Sequence, residues 1–489
     1  MKINSTRRYV ELILKALETT IVPDLKSASA RGVAEMIRTI LLDLQKRQGV
    51  SPEMLRRCIA DGETLELEMC AQLGSKPDHA ENTSGDEDFE TLARRHEALT
   101  QRLSGLSVQL SGSGEQEDVV QHLLRRAAEW ELSYYAQQIQ LQVNAAESST
   151  ARQPRLSREF LQDVLNAQQP AGIGAVEVIS FEPVPGGFGK QTFICTSRDS
   201  AGKQRELIVR KSDPVPVVMH GFCILEQEFH LLRSLAKTRF PAPQPLHLAS
   251  GLAGVDASFY LTDKLPGRVP GSFLGGMQQR PSEKLFLQLA ELMAQLHRIP
   301  LDTFSDYLHA HGDPAILKSN IGDCYRRNLA EWRSYAARTE HLPSPYLVWL
   351  MDWLERNIPR DSRRPVLVHG DFNIHNVLAV DDRITGVLDW ECADFGAPEQ
   401  DLAYIQPHIS QHIDWQRFLD HYKASGGPEL DQSLMPFCLA YAALRVNLGL
   451  NRGTLNLQRG TNDDIRYVMI ELGFTAAFMQ MALASAKAH

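Results

Sequence analysis

The 489-residue sequence has no dense run of lysine and arginine, and its formal charge of -9 at pH 7 gives no general electrostatic reason to hold a nucleic acid. It has no CxxC pair and no Cys/His spacing of a metal site. Its seven cysteines (Cys58, Cys70, Cys195, Cys223, Cys324, Cys392, Cys438) are scattered and odd in number, as expected of reduced thiols in a cytoplasmic protein. It has no apolar run that approaches the length of a membrane span, and its start, MKINSTRRYVELILKAL, reads as an amphipathic helix interrupted by Glu11 and Lys15. Nucleic acid, membrane and secretion are therefore not expected. The composition that remains, 43% hydrophobic and 23% charged, is that of ordinary globular protein at a length too great for one core, so two or three domains are expected.

Residues 1–148 carry apolar positions at helical spacing, as in Met36, Ile37, Ile40, Leu41 and Leu44. They contain no nucleophile–base pair, glycine loop or metal cluster. This part reads as an all-α accessory domain, with a role in stability, docking or a homodimer contact. A small, polar stretch at 149–156 reads as a linker. From Ser157, an N-cap candidate, a short helix gives way to strand patterns at Val176–Glu182, Gln191–Cys195 and Glu206–Lys211.

The stretch Val366–Tyr404 concentrates the chemistry. Apolar runs Val366–Val368 and Val377–Val380 bracket a polar loop with His369, Asp371, Asn373, His375 and Asn376, and the run Gly386–Leu388 ends in Asp389. A carboxylate that orients a hydroxyl, an amide five residues on and a carboxylate on the next strand form a set that phosphoryl transfer requires. The spacing H-G-D-x-x-x-x-N, then D-W-E, at His369, Gly370, Asp371, Asn376, Asp389, Trp390 and Glu391 resembles the aminoglycoside phosphotransferase (choline-kinase-like) family of small-molecule kinases.

That resemblance implies an α+β, protein-kinase-like two-lobed fold behind the all-α N-terminal domain, with a β-rich N-lobe at 157–264 and a helical C-lobe at 265–489. It implies ATP and Mg2+ as cofactors. Asp371 is then the catalytic carboxylate, His369 and Arg210 assist it, and Asn376 and Asp389 hold the metal. The nucleotide is expected at the turn Gly186, Gly187, Gly189, Lys190, at Arg210 paired with Glu228, and at the hinge Thr262, Asp263, Lys264, Leu265. Arg210 and Lys211 point to opposite faces of a strand, so only one serves, and family register favours Arg210. His375, Glu391, Arg445 and Asn447 are the acceptor-side candidates, and Asp401 resembles the aspartate that braces the catalytic loop. The expected acceptor is a hydroxyl of a small molecule, first a hydroxyacyl-CoA or hydroxy acid, with an aminoglycoside or macrolide antibiotic as the alternative and a catalytically silent nucleotide-binding scaffold as the third reading. A protein kinase is disfavoured because Asp389 runs directly into P-E-Q-D-L-A with no long activation segment.

Overall fold

A computed structural model of the chain describes residues 13–14, 17–22, 25, 28–47, 52–77, 89–113, 117–138, 156–170, 173–184, 190–213, 216–218, 220–255, 257–270, 281–458 and 465–488. The glycine-rich turn with Gly186, Gly187 and Gly189 lies outside the described residues.

The N-lobe begins with helix α5 (Arg158–Gln168), after the N-terminal helices α1 (Ala28–Arg47), α2 (Pro52–Gln72), α3 (Phe89–Gly112) and α4 (Glu117–Gln138). Ser157 caps α5 by accepting the Phe160 N–H, as its sequence position suggests. Strands β1 (Val176–Pro183), β2 (Lys190–Asp199), β3 (Gln204–Ser212), β4 (Pro245–Ala249) and β5 (Phe259–Asp263) form one antiparallel sheet in the order β1-β2-β3-β5-β4. Helix α6 (Leu225–Leu235) follows β3. Leu161 and Leu165 of α5 pack against Val178, Phe193, Leu207 and Val209 on one face of this sheet. Strand β4 is hidden in the sequence by Pro241, Pro243 and Pro245. It is tolerated because β4 is the outer strand, pairing only with β5, so a missing N–H costs no interior ladder bond.

The C-lobe is helical around two small strand pairs: α7 (Glu283–His297), α8 (Ser305–Ala310), α9 (Ile321–Arg338), α10 (Pro345–Arg356), β6 (Val366–Val368), β7 (Val377–Val380), β8 (Arg383–Val387), β9 (Asp394–Gly396), α11 (Glu399–Ile409), α12 (Trp415–Ala424), α13 (Met435–Gln458) and α14 (Ile465–Ala488). Strands β6 and β9 pair antiparallel, as do β7 and β8, and this brings the end of β6 beside the end of β8. The architecture is the α+β, two-lobed one expected.

Helices α3 and α4 lie on α10, and α1 and α4 lie on α14. Leu99, Leu103, Leu124 and Trp130 share one continuous apolar core with Tyr346, Leu350 and Leu354. The accessory helices thus pack apolar faces against their own C-lobe, while Leu67 and Val108 stay exposed. Contrary to the expectation of no span-length apolar run, Gln432–Asn456 reaches a mean hydropathy of 1.3. With 67% of that window buried inside the fold, this stretch is a core helix here.

Candidate active site

Asp371 sits in the loop after β6, and its geometry is set by backbone contacts. Gly370 adopts φ 75°, a left-handed conformation open to glycine, and a Cβ there would stand 2.0 Å from the Cys392 carbonyl oxygen. Asp401, at the start of α11, accepts the His369 N–H at 2.9 Å and the Gly370 N–H at 2.6 Å. His297 Nε2 donates to the same carboxylate at 3.0 Å while its Nδ1 meets the Tyr422 hydroxyl at 2.8 Å. Burial opposes ionisation of Asp401, but His297 and these donors outweigh it and hold the carboxyl below its ordinary range. His369 Nε2 donates to the Leu388 carbonyl at 2.8 Å and its Nδ1 accepts the Asp371 N–H at 3.3 Å, so the imidazole ties the β6 loop to the strand that ends in Asp389.

Asn376 Nδ2 donates to Asp371 Oδ2 at 2.9 Å and to its main-chain oxygen at 2.9 Å. Asp371 Oδ1 is buried without a hydrogen bond, with His375 Nε2 at 3.5 Å. Tyr404 stands beside it, its hydroxyl pushed far up by burial and by the Asp371 carboxylate.

Opposite this loop, two cations meet three carboxylates. Arg210 Nη2 lies 2.7 Å from Asp389 Oδ1, its Nε 3.6 Å from Glu228 and its Nη2 3.7 Å from Glu391. Lys190 Nζ lies 2.9 Å from Glu228 and 2.9 Å from Glu391. Strand alternation decides between Arg210 and Lys211. Arg210 faces α6 and Asp389, whereas Lys211 is fully buried on the opposite face, reaching Gln191 and the Ser212 carbonyl. Burial opposes the charge of Asp389, yet Arg210 and Lys190 prevail and hold its carboxyl below the usual range. Burial raises Glu391, Lys190 opposes that, and the neighbouring Asp389 adds to it. Burial would discharge Lys190, but Glu228 and Glu391 more than offset it and raise the ammonium.

Comparison with known proteins decides the family. Residues 180–437 match APH, the phosphotransferase enzyme family. The chain belongs to the APH phosphotransferase family. Its curated relatives include acyl-CoA dehydrogenase family member 11 of Rattus norvegicus, 29% identical over 241 residues that make up 47% of this chain and 29% of that protein. The Homo sapiens protein of the same name is 25% identical, over 47% of this chain and 29% of its own length. The chain therefore spans less than a third of the length of these relatives. Among solved structures it is similar to macrolide 2'-phosphotransferase type I, at a TM-score of 0.41 and 17% identity, covering 66% of this chain and 97% of that one. It is also similar to the aminoglycoside phosphotransferase APH(4)-Ia, at 0.41 and 17%, covering 63% and 94%.

Within this APH-family fold several residues stand elsewhere than the sequence suggested. Lys190 is not part of a phosphate-facing turn: it is the first residue of β2, with its ammonium enclosed by Glu228 and Glu391. Glu391 consequently belongs to the cation cluster rather than the acceptor side. Arg445 Nη1 donates to the Cys392 carbonyl at 2.6 Å and Nη2 to the Gly370 carbonyl at 2.8 Å, so both terminal nitrogens are engaged by the catalytic segments, while Nε is buried without a hydrogen bond. Asn447 is buried and donates to Ala443 and to the Tyr346 hydroxyl on α10, away from Asp371. At the hinge Thr262 is buried in β5, Asp263 pairs with Arg205 and Lys264 with Glu206, and Leu265 packs over Gly386. The hinge side chains face β3 and β8, and the Asp263 and Lys264 N–H groups are taken by the Gln244 and Glu206 carbonyls.

Proposed function

We propose that the protein is an ATP- and magnesium-dependent phosphotransferase that phosphorylates a hydroxyl of a small molecule, a hydroxyacyl-CoA or hydroxy acid being the acceptor class. The observation that carries this is the division of the Asp371 carboxylate. Asn376 holds Oδ2, while Oδ1 is buried and without a hydrogen bond, where an acceptor hydroxyl can donate to it. Asp371 then orients that hydroxyl and takes its proton as the phosphoryl group transfers.

Asn376 and Asp389 offer oxygen donors from adjacent segments, the donor chemistry that suits magnesium. When bound, the ion neutralises charge on the phosphates. Arg210 supplies a fixed positive charge at the same place, and Lys190 keeps Glu228 and Glu391 from repelling the nucleotide. Catalysis in this reading is placement and charge neutralisation, with little demand on the basicity of Asp371.

The acyl thioester class is supported by the names of the curated relatives, acyl-CoA dehydrogenase family members, which this chain matches over part of their length. The seven unpaired thiols suit a cytoplasmic setting. A magnesium-ATP turnover screen over hydroxyacyl-CoAs, hydroxy acids, aminoglycosides and macrolides, read by product mass, tests the acceptor. Asp371→Asn is expected to abolish transfer and to leave magnesium-dependent stabilisation by ATP nearly intact. Wild-type turnover in that variant would sink the assignment, and a flat thermal response of the wild type to magnesium-ATP would return the scaffold reading.

A further inference from the structure

Two separate segments must be in register for this site to work: the loop that carries Asp371 and the turn that follows Asp389. They come from opposite ends of a hairpin and have different neighbours. Asp401 and His297 hold the first through its N–H groups. The turn Trp390–Cys392 leaves Asp389 at φ 65°, a conformation unfavourable for a residue with a Cβ. His369 ties the loop to the Leu388 carbonyl just before Asp389, and a side chain from a distant helix joins the loop to the turn beyond it.

Arg445, on α13, places Nη2 2.8 Å from the Gly370 oxygen and Nη1 2.6 Å from the Cys392 oxygen. One of these carbonyls immediately precedes Asp371 and the other lies three residues after Asp389. The two backbones are already in contact, since a Cβ on Gly370 would meet the Cys392 oxygen at 2.0 Å and Arg445 Nη1 at 2.8 Å. A planar fork with two parallel donors can span two carbonyl oxygens at fixed separation, which a single ammonium cannot. We infer that Arg445 is a positioning residue that locks the Asp371 loop to the Asp389 turn and so fixes the distance between the acceptor-orienting carboxylate and the metal-side carboxylate.

The catalytic consequence rests on the phosphotransferase reading above, but the geometry does not. It also differs from the sequence expectation, in which Arg445 is an acceptor-side residue. The two roles separate under substitution. Arg445→Met removes both contacts, and Arg445→Lys keeps the charge but loses the fork. With a positioning role, amide hydrogen exchange measured by mass spectrometry accelerates about tenfold or more over residues 369–376 and 389–393 in Arg445→Met, while the β-sheet lobe and α7 exchange as in the wild type. Turnover falls about a hundredfold in kcat with acceptor KM little changed, and Arg445→Lys recovers only a small part of it.

Unchanged exchange in both segments overturns the inference. So does a rise in acceptor KM at preserved kcat that lysine reverses, the mark of an anion-binding cation. If Arg445→Met does not fold, Arg445→Lys decides: wild-type exchange and wild-type kcat in that variant refute the need for the fork. The exchange result needs no acceptor, and thermal stabilisation of the wild type by magnesium-ATP reports on the phosphotransferase reading separately.

Discussion

Glu131 on α4 provides a sharp test of how the N-terminal helices are joined to the C-lobe. Its carboxylate accepts the Ser344 hydroxyl at 3.0 Å and the Tyr346 N–H at 2.9 Å, at the first turn of α10. The side chain is only 7% exposed, and its bonded partners are neutral. Burial raises its pKa from 4.5 to about 7, against the opposing pull of the Tyr346 N–H and the Ser344 hydroxyl. Because the folded state holds the proton more tightly than the unfolded chain, this residue stabilises the fold at low pH. That contribution is lost as pH rises from about 4.5 to about 7. At about 1.4 kcal/mol per pH unit, the interval is worth about 3 kcal/mol. A cavity of about 40 Å³ beside Glu131, of mixed lining that includes Asn447, Asn451 and Thr454, has room for a water and makes this figure an upper bound. Glu131→Gln keeps an acceptor oxygen and removes the charge. Guanidinium unfolding followed by tryptophan fluorescence should therefore show the variant gaining on the wild type between pH 5 and pH 8, by up to about 3 kcal/mol. His96, stacked on Trp130 nearby, is held down by burial to about 4 against 6.5 in the unfolded chain, so it adds stability as pH rises between those values, equally in wild type and variant, and cancels in their difference. A stability difference between variant and wild type that is the same at both pH values would refute the argument.

Lys190→Met should cost about 3 kcal/mol of stability, because it leaves Glu228 and Glu391 sharing Arg210 alone; an unchanged unfolding midpoint would show that the ammonium is not needed to offset them. Gly370→Ala should cost about 1–3 kcal/mol for its left-handed backbone. It should also abolish turnover by driving the Cys392 carbonyl away, and full activity in that variant would contradict the close approach of the two segments.

The part of the site legible in the sequence is the part set over short distances. Asp371, Asn376 and Asp389 are brought together by one loop and one hairpin, and Arg210 faces Glu228 because strand alternation and the first turn of the next helix leave few other arrangements. Lys190 was misread because its partners come from α6 and from the turn after β8, and no local pattern announces that approach. The misassignment of Asn447 was avoidable. Arg445 and Asn447 are two positions apart on one helix, roughly 200° around its axis, so both could not face the same site. Arg445 turns to the catalytic loop and Asn447 to Tyr346.

The N-terminal helices pose the opposite difficulty. Helical periodicity identifies an apolar face without saying what covers it, and the covering surface here is α10, a segment that carries no chemical motif. The polar residues in that contact are more informative than the apolar ones. Asp352, on α10, accepts Ser111 at 2.7 Å and Gln121 at 2.5 Å beside its own-helix partner Arg356, and the Ser344 N–H is taken by Ser104 at 3.2 Å. Buried polar groups left without these partners would be costly, so the α10 face is complete only when α3 and α4 are on it. On the same helix the Tyr346 hydroxyl accepts from Asn447 of α13, two residues from the Arg445 fork. The accessory region is therefore built into the wall that supports the catalytic loop, and its physical role begins with completing that wall.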